Sequence, residues 1–183
     1  MGTIARTLRH TPDRLLHARR RRAARARLAA RRPTSVLVIC HGNICRSPFA
    51  AALLARELAP MGIPVTSAGF IGAGRPAPRE AIAAAAAYDI DLSCHRSQPV
   101  HPDLVRSAEL VVVMDQAQGR TMGARFGRQP RDIMLLGDLD PAPIERRAMP
   151  DPVTRPLVEF ESCYERIARC VQEMVRALTP TAE

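Results

Sequence analysis

Four branched apolar residues in a row, Val36-Leu37-Val38-Ile39, run directly into Cys40-His41-Gly42-Asn43-Ile44-Cys45-Arg46-Ser47-Pro48. A short continuous apolar run is what a strand buried on both faces requires, and such strands belong to parallel sheets covered by helices. Pro48 suits the first turn of a helix, and residues 48–59 keep helical periodicity. The segment therefore reads strand, tight loop, helix.

Further along, residues 64–67 and 133–136 read as short strands and residues 110–114 as another wholly apolar one, while residues 78–87, 115–126 and 159–178 read as helices. Strands alternating with helices predict a three-layer αβα fold: a four-stranded parallel sheet, helices on both faces, and an anion-binding loop after the first strand. With 183 residues and 46% hydrophobic content the chain holds one domain with a substantial core, which excludes a disordered chain. Aromatic residues make up only 3% and Trp is absent, so the core is expected to be aliphatic. No apolar run approaches the ~18 residues of a membrane-spanning helix.

Charge is unevenly spread. The net charge is +9, yet residues 1–32 hold eleven Arg against one Asp, which leaves residues 33–183 close to neutral. Leu15, Leu16, Ala23, Ala26 and Ala30 favour helix, but they make too thin an apolar face to dock. Residues 1–32 are therefore expected to form a solvated, disordered, Arg-rich extension ahead of a domain spanning 33–183, with Pro33 at the boundary. Such an extension binds an anionic membrane or an acidic partner by counterion release. The five cysteines, Cys40, Cys45, Cys94, Cys163 and Cys170, are an odd number with no His at zinc-site spacing. They point to a reducing compartment, the cytoplasm, and to no metal site.

The loop after the first strand stands where open α/β sheets place their ligands. Backbone N–H groups of such a loop converge on an oxyanion, and the helix adds the positive end of its dipole. Gly42 and Asn43 tolerate the left-handed angles that turn those groups inward. Arg46, six residues after Cys40, folds back to hold two phosphate oxygens in its planar fork. A field that binds a dianion also favours a thiolate at Cys40, with Ser47 donating to the sulfur, and a thiolate facing a phosphate is a nucleophile in position. An oxygen leaving group needs a proton, and three carboxyls in Pro-containing loops compete to supply it: Asp138, Asp140 and Asp151, the last between Pro150 and Pro152. Residue types alone do not choose among them.

Residues 35–178 resemble the low-molecular-weight protein tyrosine phosphatases. The likeness rests on Val38 to Pro48, on Ser67-Ala68-Gly69, on Asp91-Leu92-Ser93 followed by His95-Arg96-Ser97, on Val111-Val112-Val113-Met114 and on Pro150-Asp151-Pro152, in that order. The resemblance implies hydrolysis of phosphotyrosine or another aryl phosphate through a phosphocysteine, without a metal or organic cofactor. It implies Cys40 as nucleophile, Arg46 as phosphate clamp, Ser47 as the hydroxyl that assists the thiolate, and Asp151 as the acid that protonates the leaving phenolate and then activates water. His41, Gly42, Asn43, Ile44 and Cys45 complete the phosphate-binding loop, and Asn43, Ser67 and His95 match a group that holds the loop in shape. Cys45 also matches a second thiol that forms a disulfide with the nucleophile under oxidation. One departure bears on the substrate. Where many members carry aromatic residues after the Asp-Pro pair, this chain has Val153 and Thr154, which leaves Phe70 or Ile71 to form the opposite wall.

Two rival readings share these residues. A thioredoxin-linked arsenate reductase has the same fold and loop but needs two further thiols on a mobile segment, whereas Cys94 stands alone and Cys163 and Cys170 fall in the last predicted helix. A catalytically weak phosphate-binding module has no reason to retain Cys40, Arg46 and Asp151 together.

Overall fold

The computed structural model describes the backbone of residues 2–179 and the side chains of residues 13–179. Four strands, β1 (Val36–Cys40), β2 (Val65–Gly69), β3 (Leu110–Val113) and β4 (Ile133–Leu135), form one parallel sheet in the order β2-β1-β3-β4. Six α-helices accompany it: α1 (Gly2–Ala30), α2 (Arg46–Leu58), α3 (Arg79–Ala86), α4 (Pro102–Ser107), α5 (Gln116–Phe126) and α6 (Leu157–Leu178).

Strand side chains alternate between faces, so the all-apolar β1 and β3 feed two cores at once. Val36, Val38 and Cys40 belong to the cluster shared with α2, α3 and α6. Leu37 and Ile39 join Val111 and Val113 in the other cluster, with Val105 of α4 and Met122 of α5. The architecture is the expected three-layer αβα sandwich. Its strand order reverses at β1, which has β2 on one side and β3 on the other. The crevice beyond the carboxyl ends of β1 and β3 is thus the switch point at which open α/β sheets bind ligands.

Local departures from the sequence reading have local causes. β2 runs on through Ala68 and Gly69 because these residues pair with Ile39 and Cys40. Helix α4, six residues long and started by Pro102, is too short to show a period; His101 caps it by accepting from Leu104 N. Nor is the core aliphatic throughout. Phe49 stacks on Tyr164 with ring centroids 3.9 Å apart, and Tyr88 and Phe160 meet that pair edge-on. Ala-rich faces on α2 and α3 leave a wide gap before α6, and close packing demands that large side chains fill it.

The Arg-rich segment departs most from expectation. Instead of a solvated extension, α1 lies along α6 and the 3-10 turn Leu136–Leu139. Ala24 and Leu28 enter the core cluster, whereas Leu15 and Leu16 point to solvent. Most of the docking is polar. His17 Nε2 donates to the Asp140 carbonyl oxygen at 2.8 Å. Arg27 donates to the Arg131 and Ile133 carbonyls, and Arg31 pairs with Glu109 at 2.8 Å and with Asp132 at 3.3 Å. Buried Glu173 of α6 accepts from Arg21 and Arg176, with Arg25 3.9 Å away. Burial alone would push the Glu173 carboxyl up, but the Arg21 and Arg176 bonds outweigh it and hold it below its usual range. A count of apolar residues misses such a helix, because arginine docks through its stem and its five donors.

If α1 is part of the fold, Leu28→Ala should destabilise the protein by about 2 kcal/mol, the low end for a buried Leu. That corresponds to roughly 4–8 °C in Tm for a chain of this size, and calorimetry should find deletion of residues 1–32 more damaging still. An unchanged Tm in both would detach the helix from the domain.

Glu109 supplies a pH-dependent contact. Bonds from the Thr34 backbone and hydroxyl, and then from Arg31, hold its carboxyl down at about 2. A depressed carboxyl contributes stability that is complete above the ordinary glutamate range and is lost as pH falls toward its folded value. Wild type should therefore lose stability between about pH 4.5 and 2 more steeply than Glu109→Gln, as followed by acid titration of the unfolding midpoint.

Candidate active site

The loop after β1 is held from three directions. Asn43, fully buried, has φ +50°, a left-handed angle that few non-glycine residues adopt. Its side-chain Nδ2 donates to Ser47 Oγ at 3.0 Å and to Ser67 Oγ at 2.8 Å, and its Oδ1 accepts from Gln98 N at 2.9 Å. The Asn43 carbonyl oxygen only accepts, so His95 Nε2, 2.7 Å away, carries the proton. Strand β2 approaches from below, where a Cβ on Gly69 would stand 2.7 Å from Asn43 N and 2.9 Å from both Gly42 C and His41 O. Only glycine fits there. From the third side Tyr164 of α6 donates to the Cys45 carbonyl at 3.0 Å.

Two groups converge on the Cys40 sulfur, the Ser47 hydroxyl at 3.0 Å and the Asn43 amide at 3.2 Å. The donors form a chain: Asn43 Nδ2 gives to Ser47 Oγ, which is thereby turned to give to Cys40 Sγ. The N-terminus of α2 begins at the next turn, with Cys45 in the capping position and Arg46 as the first helical residue. Three other thiols remain protonated at neutrality because burial pushes them up: Cys45, where the nearby Cys40 adds to the effect, Cys163 to about 12, and Cys170. All five cysteines are unpaired.

Arg46 is almost wholly buried, and its fork turns back over the loop. It donates to the Met149 carbonyl at 3.2 Å and to the Asp151 carboxylate, while its buried Nε has no acceptor among the described residues. Asp151 is half-exposed at the mouth. The two competing carboxyls are engaged elsewhere, Asp138 by Arg147 through two bonds and Asp140 by Arg166 and Arg169. A cleft of about 590 Å³ opens over the loop, lined among others by Phe70, Met149, Pro150 and Asp151. Ile71 does not line it, and Val153 packs partly buried against the core. A larger hollow, about 930 Å³ between α1 and the end of α6, is lined by arginines, alanines, two leucines and Thr179, with no Cys, His, Asp or Glu. Among the described residues no three His, Cys, Asp or Glu side chains are grouped to hold a metal, and no helix is long and apolar enough to cross a membrane.

Sequence reasoning overlooked Gln98, Tyr164 and the Met149 carbonyl. Two of these act through backbone atoms, which no residue type announces, and Tyr164 has the spacing of an ordinary core position.

A thiol supported by a hydroxyl, inside an anion loop at the switch point of a parallel sheet, defines a cysteine-dependent phosphohydrolase. Residues 35–182 match the model of the low molecular weight phosphotyrosine protein phosphatases, and the chain belongs to that family. It is 40% identical over 143 residues to the probable low molecular weight protein-tyrosine-phosphatase EpsP of Ralstonia nicotianae, covering 77% of this chain and 93% of that protein. Among solved structures it resembles the Erwinia amylovora tyrosine phosphatase AmsI, with TM-score 0.71, 29% identity, and 81% and 95% of the two chains covered. It also resembles the YwlE arginine phosphatase of Geobacillus stearothermophilus, with TM-score 0.71, 26% identity, and 80% and 93% covered. The family is a class of hydrolases that work through a cysteine nucleophile.

Because every atom facing Gly69 is loop backbone, Gly69→Ala should displace the loop rather than a flexible side chain. A shift of about 1 Å costs on the order of 10²-fold in turnover. Steady-state assay on an aryl phosphate should show that loss together with weaker phosphate inhibition; wild-type values would mean that the loop tolerates the added carbon.

Proposed function

We propose that this protein hydrolyses phosphotyrosine in protein substrates through a phosphocysteine on Cys40. The observation that carries the reading is the donor chain from Asn43 through Ser47 to the Cys40 sulfur, which stabilises sulfur as an anion before attack and as a leaving group after it. A phosphate seated in the loop takes hydrogen bonds from the backbone of residues 41–46 and from the Arg46 fork, including the unpartnered Nε. The dianion then competes with Asp151 for Arg46 and frees the carboxyl to face the leaving oxygen.

In the first step the Cys40 thiolate attacks phosphorus, the P–S bond forms, the P–O bond to the ring breaks, and Asp151, having taken up a proton from solvent on release from Arg46, gives it to the phenolate oxygen. In the second, Asp151 takes a proton from water whose oxygen attacks phosphorus, and the P–S bond breaks to return the thiolate. Phe70 is the aromatic wall for the ring. Cys45 lies close enough in sequence to trap an oxidised Cys40 as a disulfide, although its thiol resists ionisation. Five unpaired cysteines suit a reducing, cytoplasmic setting. Arg22, Arg25 and Arg32, which line the hollow beside α1, offer a contact for an acidic partner or an anionic membrane.

Cys40→Ser should abolish turnover of aryl phosphates while phosphate still binds. Asp151→Asn should lose about 10²- to 10⁴-fold on poor leaving groups and far less on good ones. Rates measured across a series of substituted phenyl phosphates check both. Equal losses for all leaving groups would take the acid role from Asp151, and activity surviving in Cys40→Ser would end the phosphocysteine mechanism.

A further inference from the structure

The cleft over the phosphate loop is also lined by one face of α5, where Ala117, Thr121 and Arg125 recur every fourth residue, and by the segment from Arg146 through Met149 to Asp151. Arg46, almost wholly buried, marks the inner end. From Ala117 to Arg125 the helix rises about 12 Å, and Arg146 lines the same cleft five residues before Asp151. Both arginines, Arg125 and Arg146, are exposed, and among the described residues neither forms an ion pair. The Arg125 guanidinium carbon rests 5.5 Å from the centre of the Phe126 ring, which restrains its direction. Asp115 caps the other end of α5, about 15 Å of helix rise from Arg125, with both carboxylate oxygens accepting from Gln118.

We propose that Arg125 and Arg146 form a subsite for acidic side chains flanking the phosphotyrosine. A substrate peptide advances about 3.4 Å per residue when extended, so the subsite faces residues roughly two to four positions from the reacting tyrosine. Complementary charge brings acidic sequences in and rejects basic ones, and specificity arises from that difference. This inference rests on the phosphatase reading of the inner site.

The test compares phosphotyrosine peptides of equal length whose flanking positions carry glutamate, glutamine or arginine. Exposed pairs are individually weak, so kcat/KM for the glutamate peptide should exceed that for the glutamine peptide by about three- to tenfold in wild type. The ratio should fall toward one in Arg125→Ala/Arg146→Ala and reverse in favour of the arginine peptide in Arg125→Glu/Arg146→Glu. Arg131→Ala, which removes the same kind of charge away from the cleft, should leave the ratio as in wild type. Equal kcat/KM for the three peptides in wild type overturns the subsite, and so does a glutamate preference that persists in the double alanine variant. Failure of the phosphatase reading looks different, because then no peptide is turned over and no ratio exists.

Discussion

The buried amide of Asn43 is the joint on which the site depends. Its two N–H groups, its side-chain oxygen and its backbone carbonyl all have partners, in Ser47, Ser67, Gln98 and His95. Those partners come from α2, from β2 and from the loop between α3 and α4. One residue therefore ties three separate stretches of chain to the loop and fixes the left-handed turn that aims the backbone N–H groups inward. Removing its side chain takes a partner from the buried Ser47 Oγ, at about 1–3 kcal/mol, and from the part-buried Ser67 Oγ and Gln98 N. Strain at φ +50° is tolerable only because so many bonds oppose its relief.

The sheet and α6 make that joint rigid. Register between β1 and β2 sets Cys40 opposite Gly69, and the missing Cβ lets the loop lie directly on the β2 backbone. Tyr164 stacks on Phe49 of α2 while its hydroxyl reaches the Cys45 carbonyl, so a single side chain couples core packing to the start of the anion site. Stiff support from strand and helix ends is what positions a nucleophile to within a fraction of an ångström.

Charge follows a related economy. Asp140, almost wholly buried, receives Arg166 and Arg169 on its carboxylate, the Ala142 amide, and His17 on its carbonyl. Glu173 does the same for Arg21 in the middle of α1, and Glu109 for Arg31 just past its end. Asp138, Asp140, Glu109 and Glu173 each anchor one or more guanidiniums, while other arginines are left for surfaces that meet anions. Arg46 is the exception in its setting: a buried guanidinium whose one carboxylate partner, Asp151, sits at the mouth of the cleft, where a bound dianion competes for it.

Much of the fold was legible in the sequence, because β1 and β3 are short apolar runs that only a sheet covered on both faces can bury, and because a loop with Cys, Gly, Asn, Arg and Ser before Pro48 admits few other uses. The residues Cys40, Arg46, Ser47 and Asn43 could be named from local order alone. The different settings of Asp151, Asp138 and Asp140 could not, since three similar loops differ in which arginines stand near them, and those lie 9 to 105 positions away in the chain. Nor could the docking of α1, whose partners Glu109, Asp140 and Glu173 are distant in sequence and whose contacts are made by guanidinium and imidazole groups beside only two buried apolar residues, Ala24 and Leu28. Periodicity reports what each segment hides from water; which buried acid meets which arginine is decided only when the layers close.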